Sequence, residues 1–138
     1  MTAKTSALIM GVGPEQGLGA ALCKRFAREG IQIFVCGRTT DKVEHIAELI
    51  NSTGGQAVPI TANVTDEADI NAMIDRVRAS NLPLELAIYN AGNNRPDPFL
   101  DVTPEIFESM WRVLCMGGFL TSQAVLRLML KQGDAAPK

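Results

Sequence analysis

Three glycines at fixed spacing, Gly13, Gly17 and Gly19, stand in the run Gly11-Val12-Gly13-Pro14-Glu15-Gln16-Gly17-Leu18-Gly19. The commoner fingerprint GxGxxG fails here because Gln16 occupies its final glycine position; the spacing that fits is GxxxGxG. Such a run suits a pyrophosphate. The ligand must touch the backbone where a Cβ would intrude, and the helix that follows offers unpaired amides and a partial positive charge. Gly13, Gln16, Gly17, Leu18 and Gly19 are therefore candidate phosphate contacts. Glycines also make ordinary strand-to-helix turns, but this run directly follows the first apolar stretch of a strand–helix–strand pattern, where dinucleotide phosphates bind.

A second set lies further along. An NAD site usually places an acid roughly 20 residues beyond the glycines, at the end of the second strand, to hold the ribose 2′-OH. The chain here reads Cys36-Gly37-Arg38-Thr39, with Gly37 in the acid's slot. Arg38 and Thr39, a cation and a hydroxyl, suit a 2′-phosphate, so NADP(H) is expected in preference to NAD(H). The alternative is a plain surface arginine, and the position at a strand end weighs against it.

The elements that must hold these residues alternate. Apolar runs at Ala7–Met10, Ile31–Cys36, Ala57–Thr61 and Leu84–Tyr89 read as strands. Between them, Leu18, Leu22, Cys23 and Phe26, then Val43, Ile46, Ala47 and Ile50, then Ile70, Met73, Ile74 and Val77 recur at helical spacing. Thr65 or Asp66 caps the third helix. Thr103-Pro104-Glu105 opens a last helix that runs to about Leu130. This is an α/β chain with a Rossmann-like, doubly wound parallel sheet in order 3-2-1-4. Pro59 agrees with that order, because a proline cannot donate to a ladder and the third strand is the edge. Residues 1–131 form one domain, and 132–138 read as a frayed tail.

The 138 residues are 46% hydrophobic and 20% charged, enough for one globular core. A net charge of -2 leaves no footprint for nucleic acid. Cys23, Cys36 and Cys115 have neither zinc nor redox spacing, so no metal is expected and buried thiols in a cytoplasmic setting are the default. The N-terminal apolar stretch is too short for a signal peptide or membrane span. His45, the only histidine, falls on a charged helix with no evident partner.

Taken in order, the glycine run, Arg38-Thr39, Asn63-Val64 and Asn90-Ala91-Gly92 resemble the short-chain dehydrogenase/reductase family over nearly the whole chain up to about Ala124. The resemblance implies hydride transfer between a nicotinamide and a carbonyl or alcohol carbon. Asn63-Val64 stands where the family has Asp-Val, whose carboxylate accepts from the adenine amino group while the next amide meets the ring. Asn63 can still accept through its side-chain carbonyl, or it simply caps a turn. Asn90-Ala91-Gly92 is similar to the family's Asn-Ala-Gly motif, which lies against the cofactor. The helix over 104–130 is similar to the one that pairs subunits.

The chemistry itself is missing. The family uses a tyrosine acid, a lysine four residues later and a serine; the only tyrosine, Tyr89, is followed four residues on by Asn93. Leu114 occupies the position of an asparagine that organises a relay water, as in the divergent, classical-like branch with an incomplete tetrad. A fifth strand and another long helix, which would carry the triad, would begin where this chain ends. No catalytic residue is expected in the chain, and the apolar last helix should need a second copy or a C-terminal half. A non-catalytic NADP(H) sensor or interaction protein, and a plain α/β scaffold, are the competing readings.

Overall fold

The computed structural model describes residues 2–92 and 95–133. Four parallel strands, β1 (Ser6–Met10), β2 (Gln32–Gly37), β3 (Ala57–Thr61) and β4 (Leu84–Tyr89), lie in the order β3-β2-β1-β4. Helices α1 (Leu18–Ala27), α2 (Thr40–Ser52) and α3 (Glu67–Ala79) connect them, and a long helix, α4 (Pro104–Leu130), follows. The strand order is the one read from the sequence. Pro59 lies opposite Val35 on β3, the edge strand, where its missing amide proton costs no ladder bond to a further strand.

Alternation along the strands divides the core into two layers. Ala7, Ile9, Ile33 and Val35 face α1 and α2, meeting Ala20, Cys23, Val43, Ile46 and Ile50. Leu8, Met10, Phe34 and Cys36 face α3 and α4, meeting Ile70, Met73, Val77, Val125, Leu128 and Met129. Each β1 residue is buried, as the near-continuous apolar run requires. The caps are specific. Asp66, not Thr65, accepts from the amides of Ala68 at 2.8 Å and Asp69 at 3.3 Å, and Thr103 Oγ1 accepts from Ile106 at 3.2 Å ahead of Pro104.

α4 is 27 residues long and, by length and composition, apolar enough to cross a membrane. Its inner face packs on the sheet and α3 through Val125, Leu128 and Met129, as a core helix does. Away from that face Phe107, Trp111, Leu114, Phe119, Leu126 and Leu130 are exposed. One π-turn, Arg112–Met116, interrupts it. Gln132, just past α4, uses its side-chain amide to pair with the backbone of Leu84, accepting at 2.8 Å and donating at 3.1 Å. The tail read from the sequence lies outside the described residues from 134 onward.

Candidate functional site

At the carboxyl ends of the strands, β2 leads outward to β3 and β4 lies on the other side of β1, so the chain diverges and leaves a crevice. It has a volume of about 700 Å3. Gly13, Gly17, Leu18, Gly19, Arg38, Thr39, Asn63, Val64, Asn90, Ala91 and Gly92 all line it. Gln16 is exposed and is not among the lining residues. A larger groove of about 760 Å3 sits by the C-terminal ends of α1 and α2, at the amino-terminal side of the sheet.

Backbone packing fixes the cleft floor. Gly11 has φ +85°, and a Cβ on it would lie 2.3 Å from the Ala91 nitrogen. Asn90 ties the same point together: its amide donates to Met10 at 2.9 Å and its Nδ2 to the Gly11 carbonyl at 3.2 Å. Gly37 admits no side chain either, since a Cβ would meet the Val12 carbonyl at 2.2 Å. Gly13 is different. Nothing lies within 4 Å of its would-be Cβ, so a side chain there would enter the open cleft. No side chain caps α1, whose N-cap is Gly17, and its first amides remain available to an anion.

Charge is distributed in one sense. Arg38, Lys42 and Arg95 line the cleft, and among the described residues no carboxylate does. Sequence reasoning passed over Lys42, although its place in the first turn of α2, four residues after Arg38, was a usable signal. It also passed over Arg95, Met110 and Val113, which only the fold brings to Gly92 and Leu114. Asn63 makes an Asx turn: its Oδ1 accepts from the Thr65 amide at 3.0 Å and the Thr65 hydroxyl at 2.8 Å. Both lone pairs are used, so an adenine amino group would have to displace one bond.

Outside the cleft, His45 does have a partner. Its Nε2 lies 2.9 Å from Glu15 Oε2, while Lys24 Nζ lies 3.2 Å from Glu15 Oε1. The hydrogen bonds from His45 and then Lys24 hold the Glu15 carboxyl below its usual range. Burial pushes the Cys23 and Cys36 thiols up to about 12, which makes them inert. Cys115, expected to be buried, is exposed on the outer side of α4. Burial also raises Tyr89. Among the described residues no group of acidic, histidine and cysteine side chains could hold a metal.

A model of the short chain dehydrogenase family matches residues 6–136. Glucose 1-dehydrogenase of Gluconobacter oxydans (strain 621H) is 31% identical over 91% of the chain, which covers 47% of that protein. For 5-keto-D-gluconate 5-reductase of Escherichia coli (strain K12) the figures are 30%, 90% and 49%. Among solved structures, a short-chain type dehydrogenase/reductase from Mycobacterium marinum superposes with a TM-score of 0.88 at 31% identity, over 96% of this chain and 53% of the other. The chain thus spans about half the length of these relatives.

Proposed function

The chain belongs to the short-chain dehydrogenase/reductase family, and from that premise we propose that it is the NADP(H)-binding part of an oxidoreductase acting on a carbonyl or alcohol. The observation that carries the cofactor reading is the cleft's charge: Arg38 follows β2 and Lys42 lies in the first turn of α2, with no acid among the described lining residues to hold an unphosphorylated ribose. Gly13 adds a fit test, because the space a Cβ would fill is open and borders the first turn of α1. The pyrophosphate would lie over Gly13, Gly17, Leu18 and Gly19, with Gln16 at its rim. The 2′-phosphate would meet Arg38, Thr39 and Lys42. Adenine would pack by Asn63 and Val64, and the nicotinamide half by Asn90, Ala91 and Gly92.

When bound, the nicotinamide supplies or accepts the hydride. To this chain's residues we assign binding and orientation, because among the described residues no serine, tyrosine and lysine set lines the cleft. In the relatives, about half of the length lies beyond this match, and we assign proton transfer to that part. The exposed face of α4 favours a second copy or that half as its cover. We place the protein in the cytoplasm, on the buried unpaired thiols Cys23 and Cys36, and assign no membrane or nucleic-acid partner.

Calorimetric titration tests the reading. NADPH should bind at least tenfold tighter than NADH, and Arg38→Ala should remove most of that preference while leaving NADH affinity nearly unchanged (a lost charge-assisted hydrogen bond is worth about 1.5–3 kcal/mol). Equal affinities in the wild-type protein would sink the NADP(H) preference. The second reading, a binding-only sensor, draws on Leu114, which lines the cleft where the resemblance calls for an asparagine. A full-length protein that binds NADPH and reduces no carbonyl would favour it.

A further inference from the structure

We propose that Tyr89 is a positioning residue, whose hydroxyl holds the π-turn of α4 and thereby sets the wall of the cleft on the β4 side. In a regular α-helix the Gly117 amide would donate to Val113. Here it donates to the Arg112 carbonyl instead, one residue further back. That shift frees the Val113 carbonyl from its usual helical partner. The Tyr89 hydroxyl, arriving from the end of β4, donates to it. A single side chain therefore completes the hydrogen bonding of the irregular turn.

The surroundings are shaped for this contact. A Cβ on Gly117 would lie 2.4 Å from the Tyr89 hydroxyl and 3.0 Å from the Val64 carbonyl, so only glycine admits the phenol at that point. The ring also lies beside Gly118, its carbons 3.6 Å from the would-be Cβ there, an ordinary packing distance. Just beyond, Thr121 Oγ1 donates to the Gly117 carbonyl at 2.7 Å. Two of the five residues within the turn face the cleft. Val113 and Leu114 line the cleft with Met110, and Leu114 reaches within 3.8 Å of the would-be Cβ of Gly92.

The two residues of the turn that line the cleft lie at one end of it, while Gly117 backs onto the Val64 carbonyl behind. Sheet order puts Arg38, Lys42 and Asn63 beyond β2, on one side of the glycine loop. Gly92, Val113 and Leu114 lie on the other side, beyond β4. This inference rests on the dinucleotide reading above, in which the β4 side holds the nicotinamide half. Loosening the turn should therefore weaken a whole dinucleotide more than a ligand that has only the adenosine half.

Tyr89→Phe keeps the ring and removes the hydroxyl. Titrate the wild type and the variant with NADPH and with 2′,5′-ADP, and follow amide exchange in both. The expected result is NADPH binding weaker by about fivefold, the size of one net hydrogen bond, with 2′,5′-ADP within about twofold. Exchange at residues 113–118 should accelerate while Ile70–Val77 of α3 keeps its protection. Equal losses for both ligands with faster exchange throughout would show a merely structural tyrosine and overturn the proposal. So would unchanged exchange at the turn. A wild-type protein that binds neither ligand sinks the cofactor reading instead, and exchange at the turn then decides whether the hydroxyl holds it.

Discussion

β1 and β4 are hydrogen-bonded neighbours of similar composition, yet each of the five residues of β1 is buried and only Leu84 of β4 is. The difference is one of surroundings. β1 has a strand on either side and helices over both faces. β4 has β1 along one edge and, among the described residues, only the Gln132 side chain on the other, at Leu84. An apolar run therefore states what a strand must be in its assembled form, and β4 is written for more cover than this stretch of chain supplies. The same holds within α4, whose C-terminal part buries Val125, Leu128 and Met129 while Phe119 and Leu126 stay exposed.

The largest test of that contrast removes one side chain from each strand's neighbourhood. Phe34, 1% exposed on β2, packs with Leu8 of β1. Phe34→Ala should cost about 3–5 kcal/mol in urea denaturation, a large share of a stability of about 5–15 kcal/mol. Ile88→Ala on β4, only partly buried, should cost about 1–2 kcal/mol. If the Ile88 variant loses as much as the Phe34 variant, then β4 is covered in solution, and the contrast is removed by association rather than by the chain itself.

The two strands meet on equal terms at one place, the cleft floor. Gly11, just after β1, touches the backbone just after β4. With φ +85° and a Cβ clash at 2.3 Å, Gly11→Ala should cost about 2 kcal/mol or more and loosen both loops. Gly13→Ala, two residues on, should change stability by no more than about 0.5 kcal/mol, because its Cβ meets nothing. It should nonetheless weaken NADPH more than tenfold. A Gly13 variant that binds normally would remove the phosphate role of the loop while leaving the fold untouched.

Much of this was legible in the sequence, and the reasons are specific. Short apolar runs and helical periods are local signals, so all four strands, Pro59 at the edge and the cap at Thr103 could be read directly. The glycines and Arg38-Thr39 could be singled out because backbone approach and charge restrict residue type at single positions, and the fold brings them to one cleft. What could not be read involves contacts between distant segments. His45 pairs with Glu15 across 30 positions, and Tyr89 with Val113 across 24. At the π-turn Tyr89, Gly117 and Val64 meet, which no local pattern records. Cys115 escaped for the opposite reason, since apolar neighbours in sequence say nothing about which face of a helix finds cover.

The smallest expected effect concerns how the two sides secure their loops. On the β1 side, Glu15 ties the glycine loop to both α1 and α2 through Lys24 and His45. On the β4 side, the Arg95–Asp97 pair, 2.5 Å apart, lies within its own loop and bridges nothing. Glu15→Gln should therefore lower Tm slightly at neutral pH, less than either change above, because all three side chains of the cluster are partly exposed and screened. The sign with pH follows from the carboxyl's lowered value. Its contribution is complete above the ordinary 4.5 and is lost as pH falls through the lower folded value. The difference in Tm between wild type and variant should thus shrink toward zero in acid, and high salt should shrink it at neutral pH as well. A difference that survives both acid and salt would mean that Glu15 shapes the loop by geometry, and that the β1 side is closed by packing alone.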